Sequence, residues 1–255
     1  MTPRTSLWRR VLSRRALLLG ALGAPLAASS PIFAQDSHAP ARAELLREID
    51  AQMRELENVI GRSGLSPRVR AALERVPRHR FVPPELERIA YRNHPLPIGH
   101  GQTISQPFIV ALMTELLEPQ GEDRVLEVGT GSGYQAAVLA ECVARVYTIE
   151  IVAPLGERAR ALLAELGYRN VEVRIGDGYA GWPEAAPFDG IMVTAAPDHV
   201  PPALVGQLKP GGRMVIPVGT RGGVQELLLI RKDDGGKAVT RRTIPVRFVP
   251  LIRKK

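Results

Sequence analysis

The sequence predicts an α/β protein built on a doubly wound, Rossmann-like parallel sheet, and three observations carry that expectation. Short apolar runs suited to buried strands alternate with helical periods from Arg124 to Leu208, which is the βαβ rhythm of such a sheet. In the first unit, residues 124–133 (RVLEVGTGSG) read as a buried strand that runs into a tight glycine turn and then a helix. Three acids, Glu127, Glu150 and Asp177, stand at or just beyond the C-terminal ends of consecutive strands, where open α/β sheets bind their ligands.

The turn selects a cofactor class. Gly129, Gly131 and Gly133 leave the backbone bare where a ligand must come close, and the helix expected over residues 132–142 points unpaired N–H groups at it. A dinucleotide fingerprint needs glycines at the first, third and sixth places, and the sixth place counted from Gly129 is Tyr134. The residues instead spell E-x-G-x-G-x-G, with Glu127 at the strand end. A carboxylate aimed at this turn repels a pyrophosphate but suits a cofactor that carries an ammonium and a sulfonium, namely S-adenosyl-L-methionine. Glu150 ends the second strand, RVYTIE, 21 residues beyond Gly129, the interval at which an acid takes both ribose hydroxyls. Asp177 follows the apolar strand Val171–Ile175 and is placed to accept from the adenine amino group, although Asp-Gly alone is a common turn.

From its start, the chain opens on a segment that does not belong to this fold. Arg4, Arg9, Arg10, Arg14 and Arg15 form a basic region without acids, followed by an apolar run over residues 16–28 that is short for a bilayer span. This is the layout of an export signal. Ser13-Arg14-Arg15 before Leu17, Leu18 and Leu19 resembles the twin-arginine type, with cleavage expected after Ala34 and the periplasm as destination. The competing reading is a tail or misassigned start on a cytoplasmic protein. Removing residues 1–34 takes five Arg from a chain of net charge +8 and leaves +3, which is no electrostatic footprint for nucleic acid. No lasting membrane anchor is expected once the signal is gone.

Residues 35–118 are expected to form a helical cap and a loop. Leu45, Leu46, Ile49, Met53, Leu56 and Ile60 recur at helical spacing until Gly61, and Ser66-Pro67 reads as an N-cap with a first-turn proline. Residues 91–107 (YRNHPLPIGHGQTISQP) show no period and read as a long loop held between helices, the kind of segment that is often functional. Ser105 in it is open to two roles, capping the helix expected over residues 108–117 or acting in catalysis. Residues 119–220 form the cofactor core, with a turn at Lys209-Pro-Gly-Gly. Residues 221–255 add two antiparallel strands, expected at residues 226–231 and 239–251. Five scattered His and one Cys, Cys142, offer no metal-ligand spacing, so no metal is expected.

Five stretches, PLPIGHGQTISQPFIVALMTELL, VLEVGTGSGYQAAVLA, GDGYAGWPEAAPFDGIMVTAAP, LKPGGRMVIPVG and RFVPL, together resemble the protein-L-isoaspartate O-methyltransferase family in order and spacing. The resemblance implies transfer of a methyl group from S-adenosyl-L-methionine to the free carboxyl of isoaspartyl residues in proteins and peptides; apart from it, the chain is expected to act as a monomer. The resemblance also implies that Ser105 is the active-site serine, that Gly129, Gly131 and Gly133 hold the methionine part, Glu150 the ribose and Asp177 the adenine end. The acid that often stands in the family's loop near Arg92 and Asn93 is missing, and an export signal departs from a family that is usually cytoplasmic. A carboxylate acceptor is already ionised at neutral pH, so no general base is expected and catalysis rests on placement. Ser105 is the expected donor to the acceptor, with Thr103 as helper. Thr194, before Ala195 and Ala196 at the end of the fourth strand, helps to position the peptide. His94, His100 and His199 are read as loop or surface residues. The rival readings are an RNA or small-molecule methyltransferase on the same fold, and an exported binding protein without catalysis.

Overall fold

The structure, a computed structural model, describes residues 36–61 and 63–253. The expected export signal lies outside the described residues. Residues from Ser37 onward form one compact unit, and its apolar contacts run without a break from the first helix to the last strand.

The chain enters through α1 (Ala39–Glu55), which buries Leu45, Leu46, Ile49 and Met53 on one face. The single helix expected up to Ile60 breaks at Leu56, and a short α2 (Glu57–Ile60) follows before Gly61 takes a left-handed φ of 76°. Helix α3 (Pro67–Arg75) starts as predicted, with the Ser66 hydroxyl accepting from Val69 N–H. Two 3₁₀ segments, Arg78–Phe81 and Pro84–Ile89, lead to a departure from expectation. Residues 95–104 are not an irregular loop but a small hairpin of β1 (Leu96–Gly99) and β2 (Gln102–Ile104). Leu96, Ile98 and Ile104 alternate inward, a strand period too short to stand out among the surrounding Pro and Gly. Helix α4 (Pro107–Leu117) follows directly.

The core then alternates as predicted: β3 (Arg124–Val128), α5 (Tyr134–Ala140), β4 (Arg145–Glu150), α6 (Ala153–Glu165), β5 (Val171–Ile175), β6 (Phe188–Val193), α7 (Pro202–Gln207) and β7 (Leu208–Val218). Lys209-Pro-Gly-Gly, expected as a turn, is the irregular start of β7, where Leu208 already pairs with Phe188. Strands β8 (Gln225–Lys232) and β9 (Ala238–Val246) complete one seven-stranded sheet of order β5-β4-β3-β6-β7-β8-β9. Its first five strands are parallel, and β8 and β9 are antiparallel additions. One face is covered by α1, α3, α4 and α5 with residues such as Val125, Val146 and Met192, and the other by Trp182, Phe188 and Leu204. The last strand stops five residues early. Beyond Val246 the chain turns back beside Ala196, whose N–H donates to Val249 O and whose carbonyl accepts from Leu251 N–H. Strands β4 and β6 flank β3 on opposite sides, so the topological switch point lies at the C-terminal end of β3. Among the described residues no helix is long and apolar enough to cross a membrane.

Candidate active site

The glycine turn at the end of β3 exists because two neighbouring strands hold it. Gly129, Gly131 and Gly133 have φ of 104°, 54° and 88°, values that L side chains avoid. At Gly129 space also forbids a side chain, since a Cβ there would lie 2.4 Å from Thr194 Oγ1. Thr194 instead donates to the Gly129 carbonyl at 2.6 Å and lies 3.1 Å from the Val128 carbonyl. From the other side, Glu150 Oε2 accepts from Gly131 N–H at 2.7 Å and Oε1 from Val152 N–H at 2.9 Å. Each carboxylate oxygen keeps a further lone pair for another donor. These groups line a cleft that opens at the C-terminal end of β3. Its walls include Gly129, Gly131, Glu150, Gly178, Thr194 and Ser105.

Two predicted acids fall elsewhere. Glu127 is fully buried in the sheet and is absent from the cleft wall. It pairs in register with Thr148, whose hydroxyl donates to Glu127 Oε2 at 2.5 Å and stands 2.7 Å from Thr130 Oγ1. Burial pushes its carboxyl up from 4.5 to about 8, against the lowering effect of the Thr148 hydrogen bond. Glu127 is therefore a mostly neutral acid near pH 7 that ties the turn to β4 through Thr148 and Thr130, not a carboxylate aimed at a cation. Asp177 accepts from Tyr179 N–H and caps the 3₁₀ turn Gly178–Ala180. The cleft wall includes its neighbour Gly178 and not Asp177 itself. Thr194 borders the cleft, but its proton is committed to the turn, so its place is to hold that turn more than to grip a peptide.

Ser105 does not cap α4. The cap comes from across the loop, where Asn93 Oδ1 accepts from Phe108 N–H at 3.0 Å and Asn93 O accepts from Gln106 Nε2. The Ser105 hydroxyl makes no hydrogen bond among the described residues, and Ser105 borders both the first cleft and an adjoining groove. Thr103 and Thr194 lie on the same boundary. The groove is further lined by Ile109, Val224, Arg247 and Phe248, so the returning segment after β9 forms a wall that strand periodicity did not anticipate.

The residue that places Ser105 had no signal in the sequence. Arg78 is fully buried, donates through Nε to Ala90 O and through Nη2 to Ser105 O, each at 2.8 Å, and lies 4.8 Å from the Tyr134 ring centre. Burial lowers its pKa to about 10, so it stays charged at neutral pH. Arg158 performs a similar task on β1, donating to Ile98 O at 2.7 Å. His94, His100 and His199 are absent from both cavity walls.

A family model described as protein-L-isoaspartate(D-aspartate) O-methyltransferase matches residues 49–255. The chain is 58% identical over 218 residues to protein-L-isoaspartate O-methyltransferase 2 of Syntrophobacter fumaroxidans, spanning 86% of this chain and 88% of that one. It is 63% identical over 199 residues to protein-L-isoaspartate O-methyltransferase 1 of Nitrosospira multiformis, spanning 77% and 84%. A solved protein-L-isoaspartate O-methyltransferase superposes with a TM-score of 0.70 at 30% identity, covering 82% of this chain and 65% of that one.

Two predictions follow the buried charges. Between about 4.5 and about 8, folded Glu127 retains a proton that the unfolded chain has lost, so folding stability falls as pH rises through that window. Replacing it by Gln removes this dependence. Denaturant unfolding across the window should show Glu127→Gln gaining on the parent with rising pH, on the order of a few kcal/mol in total, whereas a constant difference would show that the acid ionises freely. Arg78→Met leaves the Ala90 and Ser105 carbonyls without their donor and should lower unfolding free energy by about 2 kcal/mol, measured by the same method.

Proposed function

Because the chain belongs to the protein-L-isoaspartate(D-aspartate) O-methyltransferase family, we infer that Ser105 stands where its two substrates meet. The enzyme transfers a methyl group from S-adenosyl-L-methionine to the free carboxyl of isoaspartyl residues in damaged proteins and peptides. The carrying observation is the position of Ser105, whose hydroxyl is uncommitted among the described residues and which borders both cavities.

The cleft fits the methyl donor. A turn without side chains lets a ligand approach the backbone of Gly129 and Gly131, and Glu150 presents two carboxylate oxygens to ribose hydroxyls. Asp177 is assigned to the adenine end through its place beside Gly178, with one oxygen given to its own turn. When bound, S-adenosyl-L-methionine supplies an electrophilic methyl group on a cationic sulfur. The acceptor carboxylate, with an ordinary pKa of about 4, is already ionised and needs no base. The protein's task is orientation, which can contribute several kcal/mol to a reaction between two held partners. Ser105 Oγ donates to one acceptor oxygen, Thr103 assists at the rim, and Arg78 holds the Ser105 backbone in place. The nitrogen of the following peptide bond then attacks the methyl-ester carbonyl and expels methanol, which takes the N–H proton, and water reopens the resulting succinimide partly to normal aspartate.

We also propose that residues 1–34 direct the enzyme to the periplasm, the alternative being the cytoplasm. The mature chain is read as a monomer without a nucleic-acid partner or a lasting membrane anchor. An acid-free leader with five Arg, and the +3 charge left by its removal from a +8 chain, support this reading.

Ser105→Ala should reduce kcat for isoaspartyl-peptide methylation at least about tenfold, the loss of one oriented donor, while calorimetric affinity for S-adenosyl-L-methionine stays unchanged. Weakened donor binding with intact kcat would overturn the assignment. Cell fractionation with N-terminal sequencing should recover a periplasmic form lacking Met1; a soluble cytoplasmic form that keeps Met1 would end the export proposal.

A further inference from the structure

Away from the cleft, the fold assembles a set of metal-ligating side chains that are distant in sequence. His38 precedes the first residue of α1 and makes no side-chain capping bond to that helix. His79 lies in the first 3₁₀ segment and Glu87 in the second. The ligating atoms of His38, His79 and Glu87 all lie within 4.8 Å of one another. The imidazoles of His38 and His79 stack with ring centres 4.0 Å apart and planes inclined by 20°. His38 Nε2 stands 3.2 Å from Glu87 Oε1, close to the separation of about 3.3 Å between two ligands of a tetrahedral ion bound at about 2.0–2.1 Å. Bringing all three onto one ion takes a movement of about 1.5 Å and a turn of one imidazole out of the stack, because each nitrogen's lone pair lies in its ring plane, and Glu87 is exposed enough to follow.

We propose that His38, His79 and Glu87 form a binding site for a divalent transition metal of the zinc class. Two imidazoles and one carboxylate are a borderline-soft ligand set that selects Zn²⁺, Ni²⁺ or Cu²⁺ over Mg²⁺ or Ca²⁺, which want oxygen donors. A supporting second layer is also in place. Tyr91 Oη lies 2.9 Å from His79 Nδ1, and ligating imidazoles are oriented through the nitrogen the metal does not take. Arg42 donates to Tyr91 Oη at 3.2 Å and brings a positive charge beside the set. The Glu87 carboxylate offsets it, and nitrogen ligation tolerates it better than a purely ionic site would. A bound ion would clamp the start of α1 to the segment that begins at Arg78, whose guanidinium holds the Ser105 carbonyl and is itself anchored on the Ala90 carbonyl. Its part is structural, and the methyl-transfer chemistry does not depend on it.

The test uses the full chain without an oligohistidine tag, stripped with chelator and titrated with Zn²⁺ by calorimetry. One ion per chain is expected, with Kd in the micromolar range or tighter. The affinity should fall at least about tenfold in His79→Ala and in Glu87→Gln, a surface change that leaves folding intact, and stay unchanged in His199→Ala. A hundredfold excess of Zn²⁺ over Kd should raise Tm by about 5–10 °C in the parent only. Absence of stoichiometric binding, or binding that survives in a His38→Ala, His79→Ala double variant, overturns the site.

Discussion

The arrangement depends on one constraint, the bare backbone between Gly129 and Gly133 held open by side chains from the strands on either side. Thr194, just past β6, clamps the Gly129 carbonyl, and Glu150, from the end of β4, clamps the Gly131 N–H. The Thr194 contact leaves no room for a side chain at Gly129, because the space a Cβ would need there is filled by the Thr194 hydroxyl. The cleft is thus a consequence of parallel order. β3 has a partner on each side, both partners end at the same level, and their last polar residues converge where the backbone leaves the sheet.

The acceptor side is built on the same logic of holding backbone by buried side chains. Ser105 lies in the two-residue link between a strand of only three residues and the helix that follows, too short a stretch to hold itself. Its position is therefore imposed from outside, by Arg78 on its carbonyl and by Asn93 on the first turn of α4. A buried guanidinium that binds two carbonyls and an aromatic face is an expensive brace to desolvate. It is well suited to a reaction whose rate comes from orientation, because it leaves the Ser105 hydroxyl uncommitted. The same economy applies to Glu127, whose burial makes it neutral. The acid marks the motif, yet its work is to order Thr148 and Thr130 beneath the turn. The negative charge in the cleft wall comes from Glu150.

Much of this was legible in the sequence. The alternation of apolar strands and helices, the Ser66-Pro67 start of α3 and the antiparallel ending are local patterns, and local backbone geometry follows them. Glu150 was found by its interval from Gly129, because the rise of one βα unit fixes where the next strand must end. The hairpin at residues 96–104 was hidden, since two inward residues in a four-residue strand are too few to show a period.

What the sequence by itself determined was the class of protein: strands, helices, a glycine turn and the acid at the second strand tip are written in spacings of a few to about twenty residues. Only the tertiary structure decided which groups are charged and which meet. Glu127 lost its expected role because its environment, set by strands distant in sequence, removes water from it. Arg78 with Ser105, the tail after Val246 with Ala196, and His38 with His79 and Glu87 are encounters across long loops. No periodicity records such pairs, because packing and burial place them while the local chain is indifferent to them.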